Sequence, residues 1–314
     1  MSVNRFTEWL PDRIDRRVRV VAWLSLIAQT TIIATGGAVR LTGSGLGCPT
    51  WPTCTADSLV PTDELTYHSL IEFGNRLMTG VVGIVALLLF ILVWRMRAQR
   101  RDLFTLSLIV GLGVVAQAIV GGITVWTGLN PFIVGFHYVS SLLLVCVAAA
   151  FIVRMNAAAG PRERAVPGWY AGLTHATTGV LALTIVFGIL TTGSGPHSGD
   201  ANAGRTGFDS ELLEHVHAWP GYALFVLTLV LLVAAWRQQL PTLRWVVALL
   251  AVVIVQIAVG LYQARNGLPP LAVGIHMVLA ALMAATMTVV VLRLKRPVAA
   301  AASTEKAAAA ASAH

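Results

Sequence analysis

Charge is what this chain has least of. Charged residues make up 11% of its 314 residues and hydrophobic residues 56%, whereas soluble globular domains carry roughly 25% charged residues. That scarcity excludes a soluble domain with a solvated surface. Acidic groups are the rarer sign, 14 Asp and Glu against 22 Lys and Arg. The resulting +8 charge gathers into no basic patch, so no nucleic acid is expected as a partner. Cysteine is nearly absent, with three in all. A zinc site built on Cys48, Cys54 and His68 would lack a fourth ligand, and Cys146 sits in an apolar run, where it reads as inert packing. Glycine clusters at 36–47 and 193–199, but neither cluster follows a strand or opens a nucleotide-binding helix, so phosphate-cradling loops fail on context.

What the chain does have is apolar sequence in runs bracketed by ionisable residues. A membrane-spanning helix needs about 20 such residues. Residues 20–39 lie between Arg19 and Arg40, 77–94 between Arg76 and Arg95, and 245–264 between Arg244 and Arg265. The run 103–153 is long enough for two spans, split by the turn at Gly128-Leu-Asn-Pro131. With 168–191, 209–236 and 270–292, the expectation is an all-α chain of eight transmembrane helices. Eighteen of the 22 Lys and Arg fall on the N-terminal side of these spans. The positive-inside rule therefore predicts a multi-pass cell-membrane protein with both termini cytoplasmic. The first run reads as a retained span and not a cleaved signal, and the Ala-rich segment 297–314 as a disordered tail.

One stretch occurs twice. Residues 117–137 align without a gap on 256–276 at a constant offset of 139, with nine of 21 paired positions identical, His137 and His276 among them. Thr42-Gly-Ser-Gly45 recurs as Thr192-Gly-Ser-Gly195, and Glu72-Phe-Gly-Asn75 is answered by Glu214-His-Val-His217. The chain therefore reads as two four-helix bundles in parallel repeat, 1–158 and 159–296. Repeats of this kind occur in transporters as well as redox proteins, so duplication alone does not give function.

Within this frame Asn75, His137, His217 and His276 all lie about six residues below an outer helix end, roughly 9 Å down at 1.5 Å per residue. Histidines inside apolar spans are costly unless something binds them. His217 and His276, facing one another across a bundle core, suit axial ligation of a haem. Outer arginines, Arg205 or Arg265 in this half and Arg40 or Arg76 in the other, are candidates to pair with haem propionates. Glu72, near the outer face, could take protons; the competing reading is a first-turn carboxylate favoured by the helix dipole. Glu214 reads as a structural partner near the His217 pair. His197, His215 and His175 make weak claims: a loop residue, a residue off the His217 face, and a packing residue.

These residues resemble a known family. The segment from Gly37 to Cys54, Gly-Ala-Val-Arg-Leu-Thr-Gly-Ser-Gly-Leu-Gly-Cys-Pro-Thr-Trp-Pro-Thr-Cys, looks like the first outer loop of haem A synthases. Glu72-Phe-Gly-Asn-Arg76 and Glu214-His-Val-His217 fall at that family's Glu-x-x-His-Arg signatures, and His137 and His276 at its other two histidine positions. The resemblance covers the whole chain except the tail. It implies an oxidoreductase that converts the C8 methyl group of haem O to a formyl group with water-derived oxygen, yielding haem A for terminal oxidases. It also implies a haem b whose iron is held by His217 and His276, with the substrate haem in the first half at His137 and Arg76, and Glu72 as the catalytic residue. The partners it implies are haem O and haem A, membrane lipid, haem O synthase and cytochrome oxidase assembly factors, with a homo-oligomer as one form. Cys48 and Cys54 share an outer loop on the oxidising side and read as a disulfide, structural or redox-active.

The chain departs from the pattern at two places. Asn75 stands where the family often has a histidine, and His68, two turns away, is too far to replace it. The expectation is iron held by His137 alone or with a weak or water sixth ligand. Ala218 replaces the arginine of the second signature. A haem-binding assembly or delivery protein without turnover is the competing functional reading, and a transporter is a third.

Overall fold

The computed structural model describes residues 9–62 and 66–298. Among these, eight helices are long and apolar enough to cross a membrane. They are α1 (Arg16–Leu41), α2 (Tyr67–Val93), α3 (Arg101–Trp126), α4 (Pro131–Met155), α5 (Gly168–Ser194), α6 (Ser210–Arg237), α7 (Leu243–Arg265) and α8 (Pro270–Leu292). Each has 23 to 28 residues. At 1.5 Å per residue that exceeds the ~30 Å hydrocarbon core of a bilayer. The chain is a multi-pass, all-helical membrane protein.

The helix ends follow local chemistry. Asp15 caps α1 by accepting from the Val18 N–H at 3.0 Å. Thr66 and Ser69 form a reciprocal capping box at the start of α2. The Asn130 side chain caps α4, which opens on Pro131, and Asp209 caps α6. These caps lengthen the spans beyond the apolar runs, because a cap satisfies the first-turn N–H groups whatever the hydropathy of that turn. The turns before α4 and α8 share one conformation. Gly128 and Leu129 have φ of 59° each, and Gly267 and Leu268 have φ of 70° and 57°. In both turns the leucine N–H closes on a carbonyl five residues back, at Thr124 and Gln263. Glycine bears the left-handed φ without a Cβ penalty.

Helix α1 packs against α2 and α4, and α3 against the same two; α5 packs against α6 and α8, and α7 against the same two. The two sets of four meet where α8 touches α1 and α4, and where α4 touches α5. A core of Ile33, Leu142, Val145, Ala149, Ala281 and Ala285 fills that junction. Its alanines let helix backbones approach closely, as membrane interfaces require when hydrophobic burial against lipid supplies little drive.

Two differences from the sequence reading concern the ends. Residues 162–164 and 295–297 pair as short antiparallel strands, β1 and β2, where only helices were expected, and Val298 N–H continues the contact to the Pro161 carbonyl. Extended backbone past a helix end has open donors and acceptors, and the two segments satisfy each other. The tail expected to be disordered from 297 therefore begins with an ordered Pro297, and residues 299–314 lie outside the described residues.

Candidate functional site

A cavity of about 530 Å³ opens at the bundle end that carries the loop residues 42–62, within the size range of ligand pockets. Its lining includes Glu72, Asn75, Arg76, His137, His217 and His276. Glu72, Asn75, Arg76, His137, His217 and His276 are thus on one wall or another of a single void. The sequence reading placed them in two pockets. The helices around the void contribute Gly36, Gly37, Gly121, Gly135 and Gly188 to its lining as well as larger side chains such as Ile33, Tyr138, Ile189 and Met277.

On one side, the His217 and His276 rings stand 6.1 Å apart, centroid to centroid, with planes at 78°. The Nδ1–H of His217 donates to the Thr184 carbonyl at 2.9 Å, which leaves Nε2 as its bare nitrogen. The helix bearing His276 is held by Gln256, whose amide donates to the His276 carbonyl at 3.1 Å. Gln117 does the same for His137 at 2.9 Å and also bonds Ser141. The two glutamines open the repeated segment, so their identity was visible in the sequence, but nothing there assigned them to the histidine carbonyls. Nδ1 of His137 and of His276 is buried without a hydrogen-bond partner among the described residues.

A glycine faces each of the four positions from a neighbouring helix. A Cβ on Gly188 would come within 2.8 Å of the His217 ring, one on Gly260 within 3.2 Å of His276, and one on Gly121 within 3.5 Å of His137. A Cβ on Gly36 would lie 3.8 Å from Asn75 Oδ1. That Oδ1, the amide atom able to act as a metal ligand, accepts from the Thr35 hydroxyl at 2.7 Å, which takes one of its two lone pairs.

Glu72 is 5% exposed and doubly held. Oε2 accepts from the Cys48 N–H at 2.7 Å, and Oε1 pairs with Arg76 Nη2 at 2.6 Å. Arg76 reaches on to the Cys48 and Thr53 carbonyls, both at 2.9 Å. Cys48 and Cys54 form a disulfide, so the pair is not available to a zinc ion. His68 braces the same loop through Ser44 Oγ at 3.0 Å. The loop puts Trp51 and Pro52 over the cavity, with Trp51 edge-on to Trp126 at 5.3 Å.

The remaining candidates separate by position. His175, Glu214 and His215 are exposed on their helices and contribute nothing to the lining. Glu214 is exposed on α6 three residues before His217 and lies within electrostatic reach of its ring. Arg205 and Arg265 are exposed as well. Arg40 and His197 do line the cavity. Arg40 donates to the His197 carbonyl at 2.7 Å and the Thr192 carbonyl at 2.9 Å, and His197 Nε2 meets the Leu268 carbonyl at 2.8 Å.

Fold and site together define a class: a polytopic helical membrane protein with a histidine-lined cavity at one end of its bundle. Residues 19–196 match the family model described as cytochrome oxidase assembly protein. That is more than half of the chain, and the chain belongs to this family. The match covers α1 to α5 and stops short of His217. Among similar curated proteins, the "Heme A synthase" of Lysinibacillus sphaericus is 33% identical over 156 residues, 49% of this chain and 46% of that protein. That of Listeria welshimeri is 32% identical over 139 residues, 44% of this chain and 45% of the relative. That of Bacillus cereus is 36% identical over 129 residues, 40% and 41%. The matched part spans a little under half the length of these relatives.

Proposed function

We propose that the protein is a haem A synthase, oxidising the C8 methyl group of haem O to a formyl group with water-derived oxygen for terminal oxidase biogenesis. The observation that carries this reading is the facing pair His217 and His276, in one cavity with His137 and Glu72. A metal bound by two imidazole nitrogens at about 2 Å each sets the ring centres roughly 6 Å apart, which is the spacing found. Thr184 fixes one tautomer, which leaves Nε2 as the nitrogen that would bind such a metal. The residues therefore fit a haem b, its iron held by His217 and His276, and when bound it supplies electron transfer.

In this reading the second unit, 159–296, holds the permanent cofactor, and the first, 1–158, receives the substrate haem on His137. Asn75, whose Oδ1 accepts from Thr35, would be a weaker iron ligand than an imidazole, as suits a haem that arrives, reacts and leaves. Adding water oxygen to an oxidised methyl carbon releases protons. Glu72, fixed by the Cys48 N–H and Arg76, is the carboxylate in the lining placed to accept them. Arg76 holds Glu72 and the loop in place and so shapes the haem-facing wall. Both termini are cytoplasmic, with the cavity opening on the outer side.

The test is pigment extraction from membranes supplied with haem O. The intact chain should yield haem A, Glu72→Ala should abolish haem A while retaining haem b, and His276→Leu should abolish the low-spin bis-imidazole spectrum. Haem bound without any haem A from the intact chain would favour the competing delivery role, to which the incomplete ligand set at Asn75 lends its weight.

A further inference from the structure

Two arginines line the cavity, Arg40 and Arg76, and they are not equivalent. Arg76 is neutralised by Glu72. Arg40 has no carboxylate partner among the described residues; its Nε and Nη2 meet only the carbonyls of His197 and Thr192, and its Nη1 has no acceptor there. Arg205 stands within electrostatic reach and adds a second positive charge. A guanidinium facing a partly enclosed cavity without a counter-ion is costly, and an anionic ligand group removes that cost.

The position of Arg40 says which ligand. It belongs to α1, in the first half, yet both its acceptors are in the second. Thr192 lies one turn of α5 beyond Gly188, the glycine that faces His217, about 6 Å along the axis. The internal repeat shows the corresponding vacancy: Arg76 follows Asn75, but Ala218 follows His217, so the second half offers no arginine of its own at that step. Resting on the haem reading above, we infer that Arg40 is the binding residue for the carboxylates of the haem held by His217 and His276, supplied by the first half to the second.

The test uses the full chain, produced in haem-deficient cells with His137→Ala so that only the second-half site reports. It is titrated with haem b and with haem b dimethyl ester, and low-spin absorbance is followed. Haem b should bind more tightly than the ester. Arg40→Gln should weaken haem b by about tenfold to a hundredfold, the range of a hydrogen bond to a charged group, and leave the ester unchanged. Arg40→Lys should restore part of the preference, because the charge remains. Equal weakening of both ligands would mean that Arg40 only braces the loop, and an unchanged preference would mean that another group reads the carboxylates; either result overturns the inference. If instead His217→Ala leaves the low-spin signal intact, the haem assignment itself has failed, whatever Arg40 does.

Discussion

His217, His276 and His137 are each paired with the absence of a side chain opposite the ring. Gly188, Gly260 and Gly121 come from neighbouring helices and leave room for His217, His276 and His137 respectively, with hypothetical Cβ distances of 2.8, 3.2 and 3.5 Å. These distances predict a graded series. Gly188→Ala drives a methyl group into a ring that Thr184 holds in place; it should cost about 1–3 kcal/mol in overpacking and weaken or abolish the low-spin haem spectrum. Gly260→Ala should have a smaller effect, and Gly121→Ala, at ordinary van der Waals distance, should be tolerated. Absorbance spectra of the three purified variants decide the matter. An inverted order would show that the rings do not occupy these positions.

At the scale of elements, the disulfide loop and the start of α2 behave as one unit. Arg76 ties the Cys48 and Thr53 carbonyls to Glu72, and Glu72 returns to the Cys48 N–H. Arg76→Ala would leave a buried carboxylate without its cation, a change that costs about 3–5 kcal/mol. Thermal denaturation in detergent should show that loss, and Arg76→Lys should recover part of it; a melting temperature equal to wild type would refute the unit. Much of this element was readable in the sequence. The 42–54 segment, the Cys48–Cys54 pair and Glu72 four residues before Arg76 all pointed to it. The direction of the Arg76 side chain was not readable. Sequence spacing allowed it to face a propionate, whereas its donors turn to Glu72 and to two loop carbonyls.

For the whole molecule, the junction of α4 and α8 governs how the two sets of helices sit. Tyr138 donates to the Met277 carbonyl at 2.9 Å, joining positions one residue beyond His137 and His276. Ala281, fully buried, packs there with Ala149 and Ala285. Ala281→Leu should separate the helices and destabilise the protein by about 1–3 kcal/mol, with loss of haem binding that tracks the loss of stability. A leucine accommodated with an unchanged melting temperature would mean that the junction is loosely packed.

Eight spans, their turns, the histidines and the membrane class follow from local rules: apolar length, capping residues, and the cost of an imidazole in hydrocarbon. These depend on residues near one another in the chain, so the sequence by itself determined them. It also displayed the asymmetry of Asn75 against His217 and of Arg76 against Ala218. What only the tertiary structure decided is which faces meet. That the histidine sites share one cavity, that Glu72 is locked by a backbone N–H from the loop, and that Arg40 crosses to the second half all depend on contacts between distant segments. Such contacts are set by helix packing around small residues, and small residues leave little trace in hydropathy or spacing.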